Sequence, residues 1–284
     1  MTKLEDKAVL VQLKVSQWQG RKFDRKATQD VADLNGVSSA VGRYHKALLP
    51  ATDMLANVHA KTAYIRAKYY KNTLPWGLEG TQILPCLNFM DFAADYRKER
   101  SEWVSLVADF LKEYPRLIID AQGRLGKMFN ENDYPPPMDM AKKFSMDMAI
   151  FPIPSTDFRV EIGDEELEGI KADIETRIAE SSKAATQELW RRLIEPVQKM
   201  VDKLSDPSAT FRDTLVHNVT ELCQLMKKLN VSEDEDVEHM TDEMLEKLAT
   251  KNPENLRLDP DLRRDTAEEA KKIMERMKTF MGGS

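Results

Sequence analysis

The chain has 284 residues, of which 32% are charged and 42% hydrophobic, with only 11 glycines and a formal net charge of -6. That length buries a substantial core in one large or two small domains, and the balance favours long solvated helices over a compact sheet protein. The two cysteines, Cys86 and Cys223, lie far apart without metal-ligand spacing, so neither a disulfide framework nor a zinc module is indicated and a reducing, cytoplasmic setting is expected.

The charge is unevenly spread. Residues 1–150 hold 22 Lys/Arg against 18 Asp/Glu, or +4, and residues 151–284 hold 20 against 30, or -10. Residues 1–80 alone carry 13 against 7, or +6, so a polyanion would meet the amino-terminal part. The start, "MTKLEDKAVL", lacks the basic and apolar regions of a signal peptide, and no stretch approaches about 18 uninterrupted apolar residues. A soluble protein with no membrane association is expected.

In chain order, "AVLVQLKVS" (8–16) alternates with a period of two and predicts a half-buried strand. "DRKATQDVADLNGVSSAVGRYHKALLP" predicts a helix capped by Asp24, with Val31, Leu34, Val41 and Leu48 on one face, Gly36 as a weak point and Pro50 as the interruption. Leu55, Val58, Ile65 and Tyr69 carry a second helix to "NTLPWGLEG", which completes an amino-terminal helical pair. From Phe89 a long apolar run continues through Trp103, Phe110, Tyr114 and Leu125, and Pro115 is expected to kink or split it. Residues 130–157 form a Pro/Met-rich connection, read as a short helix with flanking turns. "FRVEI" (158–162) is the second strand candidate and the expected partner of 8–16.

Asp164 caps the next helix. Its seam of Leu167, Ile170, Ile174, Ile178, Ser181, Ala185, Leu189, Leu193, Val197, Met200 and Leu204 has the spacing of a coiled coil or long hairpin. An elongated molecule follows unless Pro196 folds that helix back. Helices through Leu215–Leu229, to about Ala249, and over 261 to about 280 complete the chain. The expected fold is mainly α: an elongated long-helix hairpin with a two-stranded ribbon. The expected domains are 1–80, a basic strand and helical pair, 81–205, the hairpin with its cap at 130–157, and 206–284, an acidic helical region.

Catalytic motifs are missing from the sequence. His45, His59, His217 and His239 fit no metal-ligand pattern, "GRLGK" lacks the spacing of a phosphate-binding loop, and no nucleophile-elbow or dinucleotide fingerprint occurs. The run Glu233–Asp236 lacks the glycine and terminal glutamate of a calcium loop, and pairs such as Asp91 and Asp95 arise by chance among 48 acidic residues. No catalytic residue, metal or cofactor is assigned, and the chain is read as a non-enzyme.

Two binding patches are expected instead. Met138, Met140, Phe144, Met146, Met148 and Phe151 are too apolar for a solvated linker and suit an adaptable protein-binding surface. In "HAKTAYIRAKYYKN", Lys61, Arg66, Lys68 and Lys71 interleave with Tyr64, Tyr69 and Tyr70, offering cations for phosphates and rings for bases. Of these rings, Tyr69 belongs to the buried stripe of its helix, and Tyr64 and Tyr70 are the ones placed to stack. Arg21, Lys22, Arg25 and Lys26 could extend that basic patch.

"LLP" (48–50), "NTLPWG" (72–77), "ILP" (83–85), the long aromatic helix and "FPIPSTDFRV" together resemble an uncharacterised helical family of bacteriophages and integrative mobile elements, over residues 8–280. Its members tend to be encoded near MoxR-like AAA+ ATPases, von Willebrand A-domain proteins and recombination functions. The resemblance implies no catalytic residues; it implies an AAA+ ATPase as a partner and the chain as its adaptor. The expected protein is therefore a cytoplasmic phage or mobile-element adaptor or scaffold, non-enzymatic, acting through a protein partner and homo-oligomerisation. The alternatives are an accessory factor binding single-stranded DNA through Lys61–Lys71, and a virion structural component.

Overall fold

A computed structural model describes residues 4–49, 52–155 and 164–282. The fold is mainly α with long helices and a small two-stranded antiparallel ribbon. In chain order the elements are α1 (Leu4–Lys7), β1 (Ala8–Ser16), β2 (Arg21–Phe23), α2 (Arg25–Leu34), β3 (His45–Ala47), α3 (Asp53–Lys71), β4 (Leu74–Pro75), β5 (Thr81–Pro85) and α4 (Cys86–Leu125). They continue with α5 (Pro137–Met140), β6 (Ser145–Pro152), α6 (Asp164–Ser205), α7 (Thr214–Leu229), α8 (Glu235–Met244), α9 (Pro253–Leu258) and α10 (Pro260–Gly282).

The chain forms two compact units, and neither is a contiguous stretch. The first comprises Met1–Gln12, Tyr69–Ala93 and Ala149–Ser284, and the second Leu13–Lys68 and Ala94–Met148. The sequence reading placed boundaries at 80/81 and 205/206, where turn residues cluster. The chain instead passes between units at 12/13, 68/69, 93/94 and 148/149, inside β1, α3, α4 and β6, where no turn marks the boundary.

In the first unit, α6 buries Ala185, Leu189, Leu193, Val197, Met200 and Leu204, the latter part of its expected seam. α10 and α7 pack against it, supplying Ile273, Met277, Val219 and Met226 to one core. The cover for this seam therefore comes from the carboxy-terminal helices, where a hairpin with the first long helix was expected. Arg192 fastens α6 to the end of α3, donating to the carbonyls of Tyr70 at 2.9 Å, Lys71 at 3.0 Å and Thr73 at 2.8 Å.

Strand β1 lies where its alternation predicts, yet its pairing differs. The sheet order is β4-β5-β1-β6, with Ala8 opposite Pro85 and Gln12 opposite Thr81 in the antiparallel β1-β5 register. The expected partner, 158–162, lies outside the described residues. β6 occupies the segment read as a helical cap, because Ser145–Pro152 is extended and backbone-paired and Met146 points into a core. Expecting only two strands missed β2 to β5, which at two to five residues are too short to show a period.

Pro115 and Pro196 each sit within one continuous helix. The split expected at Pro115 is overruled by packing, since Phe110, Tyr114, Leu117 and Ala121 around it are all buried in the second core. That core also takes Leu55, Val58 and Ile65 from α3, and Trp18 packs its ring edge-on to Tyr114 at 5.7 Å.

Candidate interaction surface

An exposed apolar cluster lies in the second unit, on α2 and the loop after it. The sequence predicts one helix from Asp24 to Pro50, with Val31, Leu34 and Val41 on its inner face; α2 instead stops at Leu34. Asn35 caps it, and Gly36 takes a left-handed φ of 61° that a side chain disfavours. Residues 35–44 then turn back, and His45–Ala47 pairs with Arg21–Phe23 as a ribbon, Lys22 opposite Lys46. Of the four residues patterned for burial, Leu48 is buried in the second core, but three are left in solvent: Leu34 is 86% exposed, Val41 76% and Val31 51%. Val37 and Tyr44 stand beside them, exposed as well. A concavity of about 470 Å³ is lined by Thr28, Val31, Ala32, Val37, Val41 and Tyr44 among others.

A polar frame holds this face in place. The Asp24 carboxylate accepts from the Ala27 amide at 3.0 Å, capping α2. That amide bond, together with the charge of Lys46, keeps the Asp24 carboxyl below its usual range against the opposing effect of burial. The Thr28 hydroxyl accepts from the Tyr44 amide at 2.9 Å, and the Asp24 amide donates to the Tyr44 carbonyl at 3.0 Å, so the loop closes onto the helix. Lys46 is buried beneath, with its ammonium 2.7 Å from Asp133, 3.5 Å from Asp24 and 2.7 Å from the Met128 carbonyl. Burial disfavours that charge, but the two carboxylates outweigh it and the lysine pKa is raised.

Arg21 and Lys22 on β2, Arg25 and Lys26 on α2, and Arg43 at the wall of the concavity are all exposed, and none is in an ion pair among the described residues. The first four were expected only as an extension of a nucleic-acid patch. The sequence signal for the face itself was present in Val31, Leu34 and Val41, but it was read as core.

The residues of the expected protein-binding patch are divided. Met140 and Met146 are buried in the second core, and Phe144 packs against that core, its ring 5.6 Å from Phe110. Met148 is half-buried, while Met138 and Phe151 are exposed. The six side chains therefore do not share one accessible surface.

The expected nucleic-acid residues are partly neutralised. Lys61 donates to Glu99 and Glu102, and Lys68 donates to Asp95 at 2.9 Å and Glu99 at 2.9 Å. Both ammoniums stand 5.3 Å from the centre of the Tyr64 ring. Lys71 lies 3.9 Å from Glu221, and Tyr70 and Arg66 are exposed. Three of the four cations thus have a carboxylate within 4 Å, and among the described residues only Arg66 has none.

A second concavity, of about 450 Å³ in the first unit, is lined by Lys7, Cys86, Leu87, Lys227, Lys228 and Glu233 among others. Its ammoniums are compensated: Lys7 by Glu233, Lys227 by Asp242 and Lys228 by Asp91, each at 2.6 Å. It offers no uncompensated ammonium to a ligand. Among the described residues no cluster of three or more His, Cys, Asp or Glu is arranged to hold a metal ion, and no helix is long and apolar enough to cross a membrane. No family model, curated protein or solved structure matches the chain.

Proposed function

We propose that the protein is a non-enzymatic helical adaptor or scaffold that works by holding a protein partner on the face formed by α2 and residues 35–44. The observation that carries this reading is the exposure of Val31, Leu34, Val37 and Val41. Removing them from water is favourable by about 25 cal/mol per Å² of apolar surface, and contiguous apolar patches on soluble proteins mark interaction sites. The polar frame of Asp24, Thr28 and Lys46 preorganises the face, so a partner meets little ordering cost. A phage or mobile-element setting with an AAA+ ATPase as the partner is the context that the family resemblance implies.

A floor of Val31, Leu34, Val37 and Val41 with a single exposed ring, Tyr44, favours protein over nucleic acid, since bases stack on aromatic rings and not on valine or leucine. The test is to purify tagged protein with nuclease treatment and compare the wild type with a Leu34→Asp, Val41→Asp variant. The expected result is a specific protein that the wild type retains and the variant loses, at unchanged helicity. Loss of all bound material on nuclease treatment would transfer the site to DNA. Equal retention by both proteins would overturn the assignment of the face.

A further inference from the structure

We infer that the occupant of this face is a second copy of the same chain, which inserts the amino-terminal half of α6. The inference rests on the reading of α2 and residues 35–44 as an interaction site and names what fills it.

The two surfaces are opposite in charge. Residues 21–44, which carry the α2 face, hold five exposed cations against two exposed carboxylates, Asp30 and Asp33, a balance of +3, with Asp24 engaged by Lys46. Residues 165–180 of α6 carry six carboxylates against Lys171 and Arg177, a balance of -4. Favourable placement of negative charge at a helix amino terminus accounts for Glu165 and Glu166 in the first turn. It does not account for Asp173, Glu175 and Glu180, which lie two to four turns further on, are exposed, and have no ion pair among the described residues.

The two surfaces also match in form. Leu167, Ile170, Ile174 and Ile178 lie three, four and four residues apart on one side of the helix, and each is half-buried, with part of its surface left open. Among the described residues, only Ile178 of these four packs against either core. An apolar row at i, i+3 and i+7 is what an amphipathic helix lays into a groove. These sixteen residues span about 24 Å and the ten of α2 about 15 Å, so the inserted helix overreaches its dock and brings its flanking acids toward the cations of residues 21–44. The apolar rows supply contact, and the opposed charges fix orientation and speed encounter.

Sedimentation velocity on the full chain at roughly 50 µM, between about 50 and 500 mM salt, tests this. The expected result is a species heavier than the 32.6 kDa monomer at low salt that dissociates as salt rises. Arg25→Glu with Lys26→Glu, and separately Glu166→Lys with Asp173→Lys, should each weaken association at least about tenfold, and a mixture of the two variants should regain it. All four positions are exposed, so the variants should keep their helices, which circular dichroism checks. A monomer under all conditions, or association indifferent to both charge reversals, overturns the inference. If the chain is monomeric while Leu34→Asp still abolishes capture of a different protein, the occupant is wrong and the interaction site stands. If Leu34→Asp changes neither behaviour, both readings fall.

Discussion

Glu99 is only 6% exposed and is shared by two ammoniums, from Lys61 and Lys68. The hydrogen bond from Lys61, followed by that from Lys68, holds its carboxyl below the usual range against the opposing effect of burial. A carboxylate with a lowered folded pKa contributes stability that is complete above its unfolded value of about 4.3 and is lost as pH falls through the lowered one. Glu99→Gln should therefore cost about 1–2 kcal/mol at neutral pH and flatten the acid limb of stability below about pH 4. Urea titrations at the two pH values check both parts. Lys61 keeps Glu102 and Lys68 keeps Asp95, so the larger cost of stranding a buried charge is not expected. The two thiols make a second residue-scale case. Cys223 is fully buried and burial pushes its pKa up to about 12, while Cys86 is exposed. A thiol reagent should modify Cys86 alone in the folded protein and both after denaturation. Sequence spacing gave the two cysteines the same reading; only tertiary packing separates them.

Among the elements, those with long periods were legible. The α6 seam from Ser181 onward, the buried row Leu55, Val58, Ile65 and Tyr69 of α3, and the alternation of β1 all follow from their residues. Helix α2 shows where that legibility ends, because a periodic apolar row reports that a face is sticky and not what covers it. Val31, Leu34 and Val41 read as core because burial within the same chain is the usual fate of such a row, so the candidate site was visible in the sequence and misassigned. Segment 145–152 failed in the opposite sense: its two methionines and Pro152 masked a strand whose pairing comes from distant β1. Gly36 decides the α2 region. An added Cβ there would meet nothing within 4 Å, so replacement costs only the left-handed conformation. Gly36→Ala should lower stability by about 1 kcal/mol and, by moving Val37 and Val41, reduce binding at the face; calorimetry and a binding assay read the two effects. Arg192 offers a contrast, since its three bonds to carbonyls near the end of α3 need the planar fork of a guanidinium. Arg192→Lys should recover little of the roughly 2 kcal/mol that Arg192→Ala removes.

At the scale of the whole molecule, the division into two cores was the part least available from sequence, because each core gathers segments far apart in the chain and no linker separates them. The tryptophans provide a way to see each core alone. Trp76 and Trp190 lie in the core of the first unit, while Trp103 lies in that of the second, with Trp18 packed against it. Variants that keep one pair, with the other two tryptophans replaced by phenylalanine, make fluorescence report a single unit. Leu193 in α6 is fully buried in the first core and Ile65 in α3 is 3% exposed in the second. Truncating either to alanine removes buried methyl groups and leaves a cavity, at a cost of about 2–5 kcal/mol. In urea unfolding, Leu193→Ala should shift the midpoint read by Trp76 and Trp190 further than the one read by Trp18 and Trp103, and Ile65→Ala should do the reverse. A chain with two cores need not unfold in one step, and midpoints that differ between the two tryptophan pairs are the signature of that behaviour. Equal shifts in both reporters for both variants would mean that the two cores melt as one cooperative structure.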